Sequence, residues 1–218
     1  MSVFDLRNCD CMELMRQFPD KHFELAIVDP PYGIGQSGST NKTRGKLAVA
    51  KDYKPFAGCD ISAPSADYWA ELLRISKNQI VWGANHFISK IPFDSSCWIV
   101  WDKHMEAQDF ADCELAWTSF KSAVHKFDFA WNGMIQGDMK KKENRIHPTQ
   151  KPVALYRWLL HNYAKPGDKI LDTHLGSGSI AIACHEKGFD LTGSELDADY
   201  FAAMQKRLET AMMQTTLL

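Results

Sequence analysis

Long apolar runs are missing from this chain of 218 residues. No stretch approaches the roughly 20 apolar residues that span a bilayer. Residues 1–10 also lack the apolar run of a secretory signal. A cytoplasmic protein with no membrane attachment is therefore expected. Cysteine is sparse and scattered: the six residues Cys9, Cys11, Cys59, Cys97, Cys113 and Cys184 contain no pair of CxxC motifs. That spacing argues against a disulfide framework and against structural zinc, so no metal is expected. Internal repeats, low-complexity segments and linkers are absent too. With 45% hydrophobic and 24% charged residues, the composition is that of a globular chain. Its length fits one domain over residues 1–218 with a sizeable core.

There is little excess charge of either sign: the formal net charge is −2. The distribution is uneven. Residues 33–60 carry five Lys/Arg against Asp52 and Asp60, and residues 121–151 carry seven against Asp128, Asp138 and Glu143. These segments are net +3 and +4, which leaves −9 on the remainder. A basic face on an acidic body is compatible with phosphate binding.

Periodicity and breakers give strands at residues 3–6, 23–28, 79–82, 97–101, 113–117, 127–131, 169–172 and 190–193. Helices are expected at 11–18, 66–76, 152–163, 179–187 and 198–212, with Pro152 in a first turn. Residues 133–149 read as a polar, basic loop. The interval from 33 to 63 is too long for a mere connection and is expected to be functional or mobile. Strands alternating with helices imply an α/β fold, with a mostly parallel sheet covered on both faces.

Asp29-Pro30-Pro31-Tyr32 follows the apolar run of residues 23–28 and opens a Gly-rich loop. Open α/β sheets bind ligands at the carboxyl ends of their strands. A carboxylate, two rigid prolines and an aromatic ring there suit a flat, hydrogen-bonding base. Asp29 can accept from an exocyclic amine, the Pro30 carbonyl from its second hydrogen, and Tyr32 can stack on the ring. The bland alternative is a Pro-Pro turn after an ordinary strand.

Nearer the C-terminus, residues 169–179 read as a strand, a glycine turn and a helix start. Gly176 and Gly178 allow a tight turn and close approach of a ligand to the backbone. Glu195, ending the next strand, is placed to take both hydroxyls of a ribose. Ala181 completes a GxGxxG-like spacing, so spacing alone leaves a dinucleotide open.

Taken together, four motifs resemble those of the S-adenosylmethionine-dependent amino-methyltransferases of DNA, in the circularly permuted group whose target-base motif precedes the cofactor motif. The resemblance runs from about Arg7 to Leu208. It implies a Rossmann-like class I methyltransferase fold with S-adenosyl-L-methionine as cofactor. The segment containing Asp10 and Cys11 resembles the one that meets the cofactor adenine. Asp29, Pro30, Pro31 and Tyr32 resemble the catalytic motif. His147-Pro-Thr-Gln-Lys-Pro152 resembles the lead-in that places Thr149, Gln150 and Lys151 near the methionine carboxylate. Asp172, His174, Gly176, Ser177 and Gly178 match the glycine motif, with Glu195 as the ribose carboxylate. One departure stands out: the family usually has Asp-Pro-Phe where this chain has Asp172-Thr173-His174. His174 either takes the place of the lost ring against the cofactor or simply fills the space.

The resemblance further implies double-stranded DNA as partner and adenine N6 as target, since cytosine-N4 enzymes more often carry serine at the position of Asp29. A base inside a duplex must be flipped out, with Tyr32 as its platform. The short recognition segment, about residues 119–145, offers Lys140, Lys141, Lys142 and Arg145 to phosphates, and Asn132 and Gln136 to bases. Arg44 and Lys46 are expected to close over the DNA. So compact a segment implies a short site, or help from a second copy in a homodimer. Such enzymes occur in bacteria and phages, with or without a restriction endonuclease. The alternatives are a cytosine-N4 enzyme, an RNA or protein-amide methyltransferase, an inactive DNA-binding relative, and a dehydrogenase.

Overall fold

The computed structural model describes residues 2–35, 62–104, 111–132 and 135–216. Arg44, Lys46 and most of the interval 33–63 lie outside the described residues, as does the side chain of Asn132. In chain order the strands are β1 (Phe4–Arg7), β2 (Phe23–Val28), β3 (Ser76–Trp82), β4 (Trp98–Asp102), β5 (Cys113–Thr118), β6 (His125–Asp128), β7 (Trp131–Asn132), β8 (Ile135–Gln136), β9 (Lys169–Asp172) and β10 (Asp190–Ser194). The helices are α1 (Cys11–Met15), α2 (Ala66–Ile75), α3 (Val153–Tyr163), α4 (Ser179–Lys187) and α5 (Ala198–Thr216).

Eight strands form one sheet in the order β1-β10-β9-β2-β3-β5-β4-β6, with β7 and β8 as a separate hairpin. Only β5 runs against the others. Alternation along β2 shows how the layers are assembled. Leu25 and Ile27 face one side, where Ile80, Trp82 and Ile99 meet α3, α4 and α5 through Leu155, Ile180 and Met204. Ala26 and Val28 face the other side, where Leu14 of α1 and Trp69 and Leu72 of α2 cover them. A strand buried on both faces reads as a continuous apolar run, which is why residues 23–28 announce themselves in sequence.

From β9 the chain crosses through α4 to β10 on one side. From β2 it crosses through α2 to β3 on the other. The neighbours β9 and β2 therefore flank a topological switch point, the place where such sheets bind ligands. The glycine strand β9 comes late in the chain yet sits beside the early strand β2, as a permuted class I methyltransferase fold requires.

Most boundaries shift by a residue or so, α5 runs on to Thr216, and β8 forms within the segment expected to be a loop; four differences have a local cause. Helix α1 stops at Met15, and Gln17 and Phe18 close tighter turns onto Leu14 and Met15 just before Pro19, which disfavours a helical predecessor. Strand β3 begins at Ser76 directly from α2, because residues 76–78 already pair with β2. Strand β6 ends at Asp128, where its partner β4 also ends, and does not reach Trp131. Pro152 stands just before α3 as its N-cap residue. Among the described residues, no helix is long and apolar enough to cross a membrane.

Candidate active site

The carboxyl edge of the sheet collects the acidic residues singled out in sequence. Strand β1 delivers Asp10, β10 delivers Glu195, β9 delivers Asp172 and β2 delivers Asp29. Asp10 is exposed, and its Oδ1 caps α1 by accepting from Met12 N at 2.8 Å. Cys11 opens that helix. Its thiol is pushed up to about 12 by burial and by Asp10, so it is neutral. Asn8 Nδ2 donates to the Glu195 carbonyl at 2.8 Å, which ties the ends of β1 and β10 together.

The turn after β9 is bound to that edge. Glu195 Oε2 accepts from Gly176 N at 2.8 Å and Oε1 from Asp197 N at 2.9 Å. Burial raises the Glu195 carboxyl despite these bonds. Gly178 has φ +69°, and a Cβ there would stand 2.3 Å from Met204 Cγ, so glycine is required. Arg207 of α5 donates to the Ser177 carbonyl at 2.7 Å and to Ser179 Oγ at 2.9 Å. Its other end meets Glu143 at 2.6 Å, and Glu143 Oε1 accepts from Val153 N at the start of α3. Asp172 is 1% exposed. Burial, with like charge from Asp29 and Glu195, pushes its carboxyl up to about 8 against one backbone bond from His174.

His174 is half-buried. Its Nδ1 lies 2.9 Å from Thr173 Oγ1, which in turn lies 2.8 Å from the Tyr68 hydroxyl of α2. Burial pushes the imidazole down to about 4, so it is neutral near pH 7.

On the target side, Tyr32 donates to Asp29 Oδ1 at 2.7 Å. Burial and the nearby carboxylates hold its phenol well above the usual range, so it remains a donor. The turn after β3 is shaped around this ring. Gly83 has φ +69°, and a Cβ there would fall 2.0 Å from Tyr32 Cε1. The exposed His86 stacks on Tyr32 with centroids 5.1 Å apart and planes 16° from parallel. Lys151 Nζ reaches Asp29 Oδ2 at 2.5 Å and lies 3.3 Å from Glu114 Oε2 of β5. Lys103 Nζ donates to the other Glu114 oxygen at 3.1 Å. Burial would lower the Lys151 ammonium, but Asp29 and Glu114 reverse that and hold it above the usual range. Burial would likewise raise Glu114, and Lys151 and Lys103 together hold it below.

Other residues of the lead-in are turned to local work. Gln150 is buried, with Oε1 accepting from Ile146 N at 2.9 Å, and Thr149 Oγ1 bonds His147 Nδ1 at 3.0 Å. Lys140, Lys141 and Lys142 are exposed. Arg145 lies over the Trp131 ring at 5.6 Å and donates to the Pro148 carbonyl at 3.2 Å, so part of its guanidinium is used within the loop. Among the described residues, Asp102, His104 and Asp128 approach ligand spacing, but they are largely exposed and Lys126 already bridges the two carboxylates.

Sequence reasoning missed Glu114, Lys103, Gly83, His86 and Arg207. The available signal was a lone carboxylate in the otherwise apolar run of β5 and a glycine directly after β3.

Comparisons with known proteins bear on the family and the fold. The N6/N4 DNA methylase family model matches residues 102–206, which include Glu114, Lys151, the glycine turn and Glu195. The type II methyltransferase M.HinfI of Haemophilus influenzae is 24% identical over 91% of this chain. The chain spans 66% of that relative, just under two thirds of its length. M2.DpnII of Streptococcus pneumoniae, another type II methyltransferase, is 23% identical over 94% of this chain and 89% of its own. Among solved structures, the M1.HpyAVI–SAM complex is 20% identical with a TM-score of 0.58, covering 94% of this chain and all of that one. The cytosine-N4-specific PvuII DNA methyltransferase is 10% identical with a TM-score of 0.60, covering 98% and 93%. At these identities the structures speak to the fold, which is the class I methyltransferase fold. The family model and the two relatives support the resemblance to S-adenosylmethionine-dependent DNA amino-methyltransferases that the four motifs carry.

Proposed function

We propose that this chain transfers a methyl group from S-adenosyl-L-methionine to N6 of an adenine flipped out of double-stranded DNA. The observation that carries the reading is that β2 and β9 pair side by side, so that Asp29 after one strand and the glycine turn after the other leave the sheet at the same switch point. One side holds an acceptor for an amine; the other offers a backbone cradle.

The cradle fits the cofactor by its set of acceptors. Asp10, Glu195 and Asp172 line an edge suited to ribose hydroxyls, an adenine amine and a cationic sulfonium. The turn at Gly176, where the nearest side-chain atoms stand 3.8 Å from where a Cβ would lie, leaves backbone accessible. Bound there, the cofactor supplies an electrophilic methyl group. The protein's task is positioning and electrostatics. Asp29 and the Pro30 carbonyl accept the two N–H bonds of the target amine and direct its lone pair toward the methyl. Displacement of the cofactor's thioether by the amine nitrogen would leave that nitrogen cationic, and the Asp29 carboxylate would stand in position to take its proton. Tyr32, backed by His86, offers a flat surface to the base. Lys140, Lys141 and Lys142, exposed on the segment before α3, are the proposed phosphate contacts. The type II methyltransferase relatives favour a role in restriction–modification.

Transfer of labelled methyl from S-adenosyl-L-methionine into unmethylated duplex DNA tests the proposal. Wild-type protein is expected to label DNA and Asp29→Ala to leave it unlabelled. Label in RNA or protein alone, or in none, contradicts the reading.

A further inference from the structure

The lead-in motif implies that Lys151 meets the methionine carboxylate, but its ammonium is committed elsewhere. It is 4% exposed and faces three oxygens: Asp29 Oδ2 at 2.5 Å, the Tyr32 hydroxyl at 3.2 Å and Glu114 Oε2 at 3.3 Å. Two of these are hydrogen bonds, to Asp29 and Tyr32, and Glu114 Oε2 is an ion-pair partner without hydrogen-bond geometry. Its backbone is fixed from the cofactor side, where Ser179 Oγ donates to the Lys151 carbonyl at 2.7 Å. Lys151 thus leans from the cofactor half of the chain across to the target-side carboxylate.

We propose that Lys151, itself held by Glu114, is a positioning residue for Asp29 and not a ligand of the cofactor; the inference rests on Asp29 being the amine acceptor. Lys151 and Tyr32 each bind a different Asp29 oxygen, which fixes the plane of the carboxylate. Each oxygen keeps a second lone pair for the incoming amine. Charge counting supplies a second argument. Lys103 and Lys151 balance Glu114 and Asp29, so the cluster is neutral and the cation beside Asp29 does not repel a sulfonium. Without Glu114 the cluster would be net positive; without Lys151 it would be net negative.

These signs separate the two roles. In Lys151→Met, the single-turnover methylation rate at saturating DNA and cofactor should fall about a hundredfold through misplacement of Asp29. Its Kd for S-adenosyl-L-methionine, measured by calorimetry, should stay within about threefold of wild type or tighten. In Glu114→Gln the rate should fall as well, and the cationic cofactor should bind more weakly. A Lys151→Met protein with a Kd about tenfold weaker and an unchanged saturated rate would be a cofactor-site variant and would overturn the proposal. An unchanged rate and an unchanged Kd would overturn it equally. Should Lys151→Met fail to fold by circular dichroism, Glu114→Gln decides: a normal rate there overturns the proposal and a reduced one supports it. Wild-type protein that binds the cofactor and methylates no DNA would remove the proposed function and this inference with it. A wild-type protein that methylates beside an equally fast Lys151→Met removes the inference alone.

Discussion

Lys151 Nζ lies 2.5 Å from Asp29 Oδ2 although 122 residues of chain separate them. One residue stands just before α3 in the C-terminal part of the chain and the other directly follows β2. The contact joins the two halves at the switch point between β9 and β2.

Removing Asp29 tests the acceptor role. Asp29→Ala should lose methyl transfer by more than about a thousandfold while binding S-adenosyl-L-methionine within a few-fold of wild type. Truncation also leaves Lys151 with Glu114 as its one nearby carboxylate among the described residues, so some loss of stability is expected on denaturant titration.

Tyr32 depends on a residue that carries no side chain. Gly83→Ala sets a Cβ 2.0 Å from the Tyr32 ring in a left-handed turn. The ring must move, and the strained backbone adds about 1–3 kcal/mol. Stability should fall by that order and transfer should fall further than stability alone explains; equal activity in folded protein would show that the ring position is immaterial.

Much of this was legible in the sequence. The runs that became β2 and β9 are apolar on both faces because helices cover both sides of the sheet, and α4 lies between Gly178 and Gly188 in left-handed conformations. The carboxylates at 29, 172 and 195 lie at or just after the ends of parallel strands and Asp10 caps the helix after another, so the strand ends placed them along one edge. Glu114 stood out as a lone carboxylate in β5, but its partner was hidden for a topological reason. It reaches Lys151 only because β5 inserts, antiparallel, between β3 and β4 out of chain order. His86 lies in a short turn whose spacing carries no signal. The partner of Lys151 was likewise beyond reading, since the motif names the residue and not the direction of its side chain.

Asp172 predicts a pH dependence. Its folded carboxyl is raised to about 8 from an ordinary value near 4. Between those values the unfolded chain has released the proton and the folded chain retains it, so this group costs stability progressively as pH rises through the window. Asp172→Asn can still accept from His174 N and removes the titration. Urea unfolding at pH 5 and pH 8 should show the variant gaining on wild type at the higher pH. A constant difference would contradict the burial argument.

The exposed lysines predict a salt effect. Changing Lys140, Lys141 and Lys142 together to alanine should leave stability within about 0.5 kcal/mol. DNA binding should weaken, and the slope of log K against log salt should flatten by up to about 2.7. An unchanged slope would remove these residues from the interface.

Arg207 braces the glycine turn against Glu143. Arg207→Ala leaves a half-buried carboxylate unpaired, and a loss of about 3–5 kcal/mol is expected. Cofactor binding should weaken with it; calorimetry on the folded fraction would show whether the brace or the turn alone sets affinity.

The most direct test of the central claim is to identify the methylated nucleoside. Unmethylated duplex DNA is incubated with the protein and S-adenosyl-L-methionine, digested to nucleosides and resolved by mass spectrometry, with Asp29→Ala alongside. The account predicts N6-methyladenine that disappears with Asp29. N4-methylcytosine would contradict the choice of base, and N6-methyladenine produced equally by Asp29→Ala would contradict the mechanism.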